Sequence, residues 1–267
     1  MARQTKLQKR KTRNNILFSV FFFSVVVAGI ASAVWWNLQR KPGLDPVTLC
    51  PAQGPSGQRV VLIDRTDPFN LAQKTSLDIF IKNLVNDTPP GHLLSVYVLD
   101  DDFQANTKPL FELCNPGDGQ DKSELTANLK ALKQQYLKHF IEPMSSVSEG
   151  MMNAQPAKES PILEMLQLVN LNSIQKQKVN GEVRLYVLSD MLQNSKALTM
   201  YGKPVTFDTY AASYASSKLF VDFSQVTVEV HMVNNSPRTL NPLLLDFWKA
   251  YFEKAHVKSV SFHALSG

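Results

Sequence analysis

Apolar and polar segments alternate along most of the chain in a pattern that predicts strands and helices in turn. Residues 60–63 are a run of apolar, mostly β-branched side chains, typical of a strand buried on both faces of a parallel sheet. Further strands are predicted at residues 93–99, 110–113, 183–188, 226–233 and 257–262. Helices are predicted at residues 75–87, 123–141, 208–219 and 242–252, with another beginning at residue 161. This order predicts an α/β fold with a doubly wound, mostly parallel sheet.

A different pattern precedes the predicted sheet. Residues 16–36 carry no charged side chain, and about 20 apolar residues are enough to cross a bilayer as a helix. Six Lys or Arg side chains come before this segment, and only Arg40 and Lys41 follow nearby. The positive-inside rule then predicts a cytoplasmic N-terminus, with the rest of the chain beyond a bacterial inner membrane, in the periplasm.

The apolar segment has a second interpretation. Ala31-Ser32-Ala33 resembles a signal-peptidase site behind a basic region, so the segment could be removed from the mature chain. The apolar run continues to Trp36, however, and paired tryptophans suit the interface of a retained anchor. We favour the anchor. The predicted organisation is a basic tail (1–15), a transmembrane helix (16–36), a Pro/Gly-rich tether (37–58) and a folded domain (59–267).

Charge and cysteine content refine this organisation. Much of the formal charge of +5 comes from the N-terminal tail, and no basic stripe interleaved with aromatic residues follows, so nucleic acid is not predicted as a partner. Cys50 and Cys114 are the two cysteines. In an oxidising compartment they are expected to form a disulfide, the alternative being two unrelated buried thiols.

Oxygen-bearing side chains follow two of the predicted strands. Asp64 and Thr66 come directly after residues 60–63, and Asp190 follows residues 183–188. Ser160 precedes a proline and is expected to cap the helix that begins there. Since ligands bind beyond the carboxyl ends of the strands in an open α/β sheet, we expect these side chains to share one edge.

These residues resemble the metal-ion-dependent adhesion site of von Willebrand factor A-like domains, and the resemblance covers about residues 59–267. In that family an Asp-x-Ser-x-Ser motif, a threonine before a mid-chain helix and an aspartate after the fourth strand hold Mg²⁺. The resemblance implies Asp64, Thr66, Ser160 and Asp190 as ligands. Pro68 stands where the second hydroxyl belongs, and Asp67, one position away, is expected to point elsewhere.

The resemblance implies a protein-binding module without enzymatic activity. In this interpretation the chain is a single-pass membrane protein of the cell envelope, whose carboxyl edge receives a carboxylate of a protein partner through Mg²⁺. No small-molecule substrate is predicted. One alternative is a metal-dependent phosphohydrolase with Asp64 as nucleophile, although Thr66 replaces the second carboxylate of an Asp-x-Asp motif. Another alternative is a structural scaffold without metal.

Overall fold

The computed structural model describes residues 6–39, 44–100, 107–120, 128–151, 156–177, 179, 181–234 and 236–265. The chain divides into two compact units, Met1–Gly43 and Leu44–Gly267. Helix α1, Lys6–Gln39, belongs to the first unit. Its segment Asn15–Trp36 has a mean hydropathy of 2.4 and is long and apolar enough to cross a membrane. One candidate transmembrane helix is therefore present where the sequence predicts it.

The second unit is an α/β fold. Its strands are β1 Gly57–Asp64, β2 His92–Leu99, β3 Phe111–Cys114, β4 Val183–Ser189, β5 Val226–Val233 and β6 Ser259–Leu265. Its α-helices are α2 Leu71–Asn86, α3 Leu129–Tyr136, α4 Glu142–Met151, α5 Ile162–Val169, α6 Phe207–Ala211, α7 Tyr214–Leu219 and α8 Pro242–Lys254. Single π-helical turns, Leu137–Ile141 and Asn170–Ile174, join α3 to α4 and extend α5.

The six strands form one sheet in the order β3-β2-β1-β4-β5-β6. All neighbouring pairs are parallel except β2 and β3, which are antiparallel. From β1 the chain first winds outward through β2 and then returns to β4 on the other side of β1. The carboxyl ends of β1 and β4 therefore flank the topological switch point, where open α/β sheets form their ligand crevice. The predicted mostly parallel sheet is confirmed.

The sheet separates two apolar clusters. In β1, Val60 and Leu62 face one cluster, whereas Val61 and Ile63 face the other, as the two-residue period of a strand requires. Helices α5 to α8 cover the first face, and α2 and α4 cover the second. Helices on both faces explain why the central strands are apolar at consecutive positions.

Local capping explains where two helices begin. Helix α2 starts at Leu71, four residues before the predicted start, because Asn70 and Gln73 form a capping box in which each side chain accepts a backbone N–H of the other. Helix α8 starts where predicted. The Asn241 side chain accepts from the N–H of Leu243, and Pro242 occupies the first helical position.

Two predicted boundaries differ from the structure. The tether was expected to run to residue 58, but Leu44 pairs with Pro51 and β1 already begins at Gly57. Cys50 and Cys114 form the expected disulfide, which holds this segment against β3. The predicted helix 123–141 does not end at residue 141 but continues through a π-helical turn into α4, and its residues 123–127 lie outside the described part of the chain.

Candidate functional site

The Asp64 carboxylate lies at the carboxyl end of β1, inside a network of hydroxyl groups. Its residue is only 6% exposed. Oδ1 accepts hydrogen bonds from the backbone N–H and the hydroxyl of Thr66, at 3.0 and 2.6 Å. Oδ2 accepts from the hydroxyls of Ser160 and Ser189, at 3.2 and 2.7 Å. Burial raises the pKa of Asp64, and these hydrogen bonds oppose it without overcoming it.

Ser160 does not cap α5, so that prediction was wrong. Its hydroxyl donates to Asp64 instead, and the Oε1 atom of Gln193 accepts the N–H of Leu163 in the first turn of the helix, at 2.8 Å. Ser160 and Asn194 exchange backbone hydrogen bonds of 2.7 and 2.8 Å. This pairing fixes the backbone of Ser160 beside the loop that follows β4, with its hydroxyl directed to the end of β1.

Asp190 follows β4 and is also only 6% exposed, but its carboxyl group has different hydrogen-bond partners. Its Oδ1 atom accepts one backbone hydrogen bond, from Leu192 at 2.9 Å. Burial and then the negative charge of Asp64 are the main causes that raise the pKa of Asp190 to about 7. Asp67 raises it further, both by its charge and by a side-chain hydrogen bond. Asp190 therefore changes its charge near neutral pH.

The loop after β4 is held in an unusual conformation. Met191 is buried and has a φ of 60°, in the left-handed region that a side chain disfavours. The Ser189 hydroxyl accepts the N–H of Met191 at 2.8 Å, and the indole Nε1 of Trp248 donates to the Met191 carbonyl at 2.8 Å. Surrounding contacts thus impose the strained backbone that positions Asp190, as is common at functional sites.

Asp67 and Asp190 line an open cleft of about 460 Å³ at this edge of the sheet. The expectation that Asp67 points elsewhere was wrong, because the chain bends at Thr66 and Asp67 before it enters α2 and so returns Asp67 to the edge. The other residues that line the cleft are Pro68, Asn70, Gln73, Leu192, Tyr201, Asn234, Ser236 and Arg238. Most of these side chains are polar, so the cleft suits a ligand with hydrogen-bonding or charged groups.

Tyr201 and Arg238 bring an aromatic ring and a cation to the acidic cleft. The Arg238 guanidinium lies over the Tyr201 ring, 5.3 Å from its centroid. Burial raises the pKa of Tyr201 to about 12, the negative charges of Asp190 and Asp67 add to this rise, and Arg238 opposes it. These four side chains therefore lie within electrostatic reach of one another.

Exposed apolar residues lie close in the chain to residues that line the cleft. Leu71, next to the lining residue Asn70, is 82% exposed, and Leu240, two residues after Arg238, is 71% exposed. Leu243 is also exposed and lines a second, smaller cavity that shares Arg238 with the cleft. The cleft thus has a charged lining, and exposed apolar residues are close to that lining in the chain.

The predicted Mg²⁺ ligands offer oxygen donors, but the central one, Asp64, is already satisfied by hydrogen bonds. Mg²⁺ requires a nearly octahedral set of oxygens with free lone pairs. Each oxygen of Asp64 accepts two hydrogen bonds, and Pro68 contributes no oxygen from its side chain. Among the described residues, no three His, Cys, Asp or Glu side chains are grouped to hold a metal ion. The donor set does not fit Mg²⁺ as it is arranged, and Mg²⁺ stays a prediction of the sequence.

The structure brings all four predicted site residues to one edge. Thr66 and Ser160 bond directly to Asp64, and Asp190 is coupled to Asp64 through its charge. Sequence reasoning missed Ser189, because its contact with Asp64 depends on the register of β1 beside β4: Ile63 lies beside Leu188, so the next pair is Asp64 and Ser189. Tyr201 and Arg238 were also missed: Tyr201 lies in a bend and Arg238 in the short 3₁₀ helix Pro237–Leu240, and neither segment carries a recognisable motif.

Comparison with known proteins finds no protein-family model that matches this chain and no curated protein that matches it.

Proposed function

We propose that this chain is a membrane-anchored module that binds a protein partner at the carboxyl-edge cleft. The observation that carries the proposal is the cleft at the switch point between β1 and β4, which holds a nearly buried carboxyl group with a pKa near 7. A carboxyl group whose pKa is raised by burial does not stabilise the folded state when it is ionised. Groups of this kind are concentrated at functional sites.

The surroundings of the cleft support a protein partner. Interfaces between proteins combine apolar and aromatic anchors with polar groups that fix the orientation of the partner. Leu71 and Leu240 supply exposed apolar area, Tyr201 supplies an aromatic ring, and Arg238 and Asp190 supply charges of both signs. The partner segment that fits this surface carries a basic side chain for the acidic floor and apolar residues for the flanks.

The anchor and the disulfide support a location in the cell envelope. Helix α1 supplies a candidate membrane span, and the basic residues before it favour a cytoplasmic N-terminus. The disulfide between Cys50 and Cys114 suits an oxidising compartment such as the periplasm. In the proposal the second unit lies in the periplasm of a bacterial cell, behind an inner-membrane anchor.

The relation to von Willebrand factor A-like domains belongs to the same proposal. It rests on the doubly wound strand order and on the meeting of Asp64, Thr66, Ser160 and Asp190 at one edge. The Mg²⁺ that the sequence predicts at Asp64, Thr66, Ser160 and Asp190 carries no step of the proposal, because both oxygens of Asp64 already accept two hydrogen bonds each.

The phosphohydrolase alternative gains no support from the geometry. A nucleophilic carboxylate needs a free oxygen that faces the substrate. Asp64 is buried. Its Oδ1 atom accepts two hydrogen bonds from Thr66, and its Oδ2 atom accepts one each from Ser160 and Ser189. The carboxyl groups that line the cleft are those of Asp67 and Asp190.

Quantitative capture of partners from native membranes tests the proposal. The full-length wild type, an Asp67→Ala/Asp190→Ala variant and an Asp78→Ala control are compared; Asp78 lies in a surface ion pair with Lys82 on α2. We expect specific partners with the wild type and the control but not with the cleft variant. A chelator arm tests the Mg²⁺ prediction of the sequence separately, because only metal-dependent capture is lost in the chelator. Equal capture by all three proteins would refute the cleft as the binding site and favour the scaffold alternative.

A further inference from the structure

The two outer strands of the sheet are protected to very different degrees. Strand β3 has four residues and runs antiparallel to β2. The backbone N–H of its last residue, Cys114, donates to the carbonyl of Thr48, and the disulfide to Cys50 holds that segment in place. This edge is therefore short and covered by the chain itself.

Strand β6 is longer and is the last strand of the sheet. It has seven residues, pairs with β5 on its inner side, and forms the end of the sheet; no other strand of the described residues pairs with its outer side. Proteins normally protect such an edge with a proline or with a charged residue such as lysine, because its free backbone N–H and C=O groups can pair with a further strand. Strand β6 contains no charged residue and no proline.

We propose that β6 pairs in antiparallel fashion with β6 of a second copy of this chain. The pairing joins two six-stranded sheets into one continuous sheet across a two-fold axis. It satisfies the outer backbone groups of both strands at once. The inference does not use the cleft and stands or falls independently of the proposed function.

The sequence of β6 is complementary to itself about its central residue, Phe262. In that register Ser261 lies opposite the second copy's His263, and the same pair recurs on the other side of the axis, so a hydroxyl meets an imidazole twice. Val260 lies opposite the second copy's Ala264, which pairs a larger side chain with a small one. A strand that pairs with itself brings like residues close together, and the absence of charge from β6 removes the repulsion that this would cause.

The faces of the two sheets also match in this arrangement. Val260 and Phe262 pack against the apolar cluster that α8 covers, whereas Ser261 and His263 lie on the opposite face of β6. A two-fold axis perpendicular to the sheet keeps each face on its own side. The apolar cluster of one copy therefore continues into that of the other, and the polar pairs lie together on the opposite face.

The first test measures the mass of the full-length chain in detergent by light scattering. We expect a dimer for the wild type. Ser261→Lys/His263→Lys places four cations at the axis of the dimer, and Ser261→Glu/His263→Glu places four anions there. Each variant alone is expected to dimerise at least tenfold more weakly than the wild type. A mixture of the two variants is expected to form a heterodimer with the wild-type affinity. The control Leu171→Lys/Tyr214→Lys adds the same charge at residues that are 54% and 77% exposed elsewhere, and should dimerise like the wild type.

The second test does not depend on the folding of charged variants. Val260→Cys and Ala264→Cys chains are mixed and oxidised; since the described part of the chain has no free cysteine, new disulfides report on the new thiols. We expect a heterodimeric crosslink, and much less of it when Ala264→Cys is mixed with the exposed Ser217→Cys. A monomeric wild type, a dimer insensitive to the charges, or a crosslink no stronger than the control would each overturn the inference.

Discussion

The ends of β1 and β4 each carry an aspartate, but the two carboxyl groups differ in their hydrogen bonds and in the charges beside them. Asp64 and Asp190 lie beyond neighbouring strands and are equally buried, at 6% exposure. Asp64 accepts four hydrogen bonds from the chain around it. Asp190 accepts one backbone hydrogen bond and lies beside two further carboxyl groups, those of Asp64 and Asp67.

The difference separates a carboxylate that stabilises the fold from one that is available to a ligand. A buried polar group costs free energy unless its hydrogen bonds are made, and Asp64 makes all that its oxygens can accept. Asp190 is left with a raised pKa in an open cleft, so a partner that supplies a hydrogen-bond donor or a cation can improve its surroundings. The following predictions test this contrast.

The largest effect is expected from Asp64→Ala. Removal of the carboxylate leaves the buried hydroxyls of Thr66, Ser160 and Ser189 without their acceptor. We expect the free energy of unfolding to fall by roughly 5 kcal/mol, as urea denaturation measures it. Asp78→Ala, which breaks a surface ion pair with Lys82, should cost at most about 0.5 kcal/mol. A loss below about 1 kcal/mol for Asp64→Ala would contradict the structural role.

Asp190 should contribute to the pH dependence of stability, in the same direction as Asp64, whose pKa is also raised by burial. The pKa of Asp190 is about 7 in the folded chain against 3.8 when exposed, so the folded state keeps a proton that the unfolded state has lost between these values. The free energy of unfolding should therefore decrease as the pH rises from about 4 to 7, at most by about 1.4 kcal/mol per pH unit, and level off above that range.

Asp190→Asn provides the matched comparison for this pH effect. The amide keeps an oxygen that can accept the N–H of Leu192 but has no charge to bury. We expect the variant to be more stable than the wild type above pH 7, by about 1 to 2 kcal/mol, with a shallower dependence below it. Urea denaturation between pH 4 and 8.5 measures both. Equal slopes in the two proteins would assign the titration to another group.

A smaller effect is expected when single hydroxyls of the network are removed. Ser189→Ala should cost about 2 kcal/mol, because Ser189 donates to Asp64 at 2.7 Å and also accepts the N–H of Met191. Ser160→Ala should cost about 1 kcal/mol, because its single side-chain bond to Asp64 is 3.2 Å long. Thermal and urea unfolding rank the two variants, and the reverse order would mean that the end of β4 is less constrained than its geometry indicates.

The smallest effect on stability is expected from Arg238→Gln. Arg238 is exposed, and its contact with the Tyr201 ring contributes about 0.5 kcal/mol. The same substitution should reduce partner capture clearly, because it removes the positive charge from the wall of the cleft. Unfolding and capture are measured on the same preparation. A variant that loses stability but still captures the partner would mean that Arg238 stabilises the fold and does not take part in binding.

Local sequence signals predicted the strands and the residue types of the site but not how these residues contact one another. The apolar run before Asp64 predicted β1, and the oxygens of Asp64, Thr66 and Asp190 were expected at one edge because parallel strands end together. The role of Ser160 was misjudged, since a serine before a proline is an ordinary helix start. Its actual partner, Asp64, lies 96 residues away in the chain, and no local rule connects the two.

The sequence by itself determined the elements whose causes are local: the apolar segment of α1, the buried strands and the Asn-Pro start of α8. It also determined that two cysteines were available to pair. Only the tertiary structure decided the register of β1 beside β4, and with it the contact of Ser189 with Asp64. It also decided that Asp67, Tyr201 and Arg238 meet Asp190 in one cleft. The physical reason is that periodicity and capping depend on neighbours in the chain, whereas hydrogen bonding and burial depend on neighbours in space.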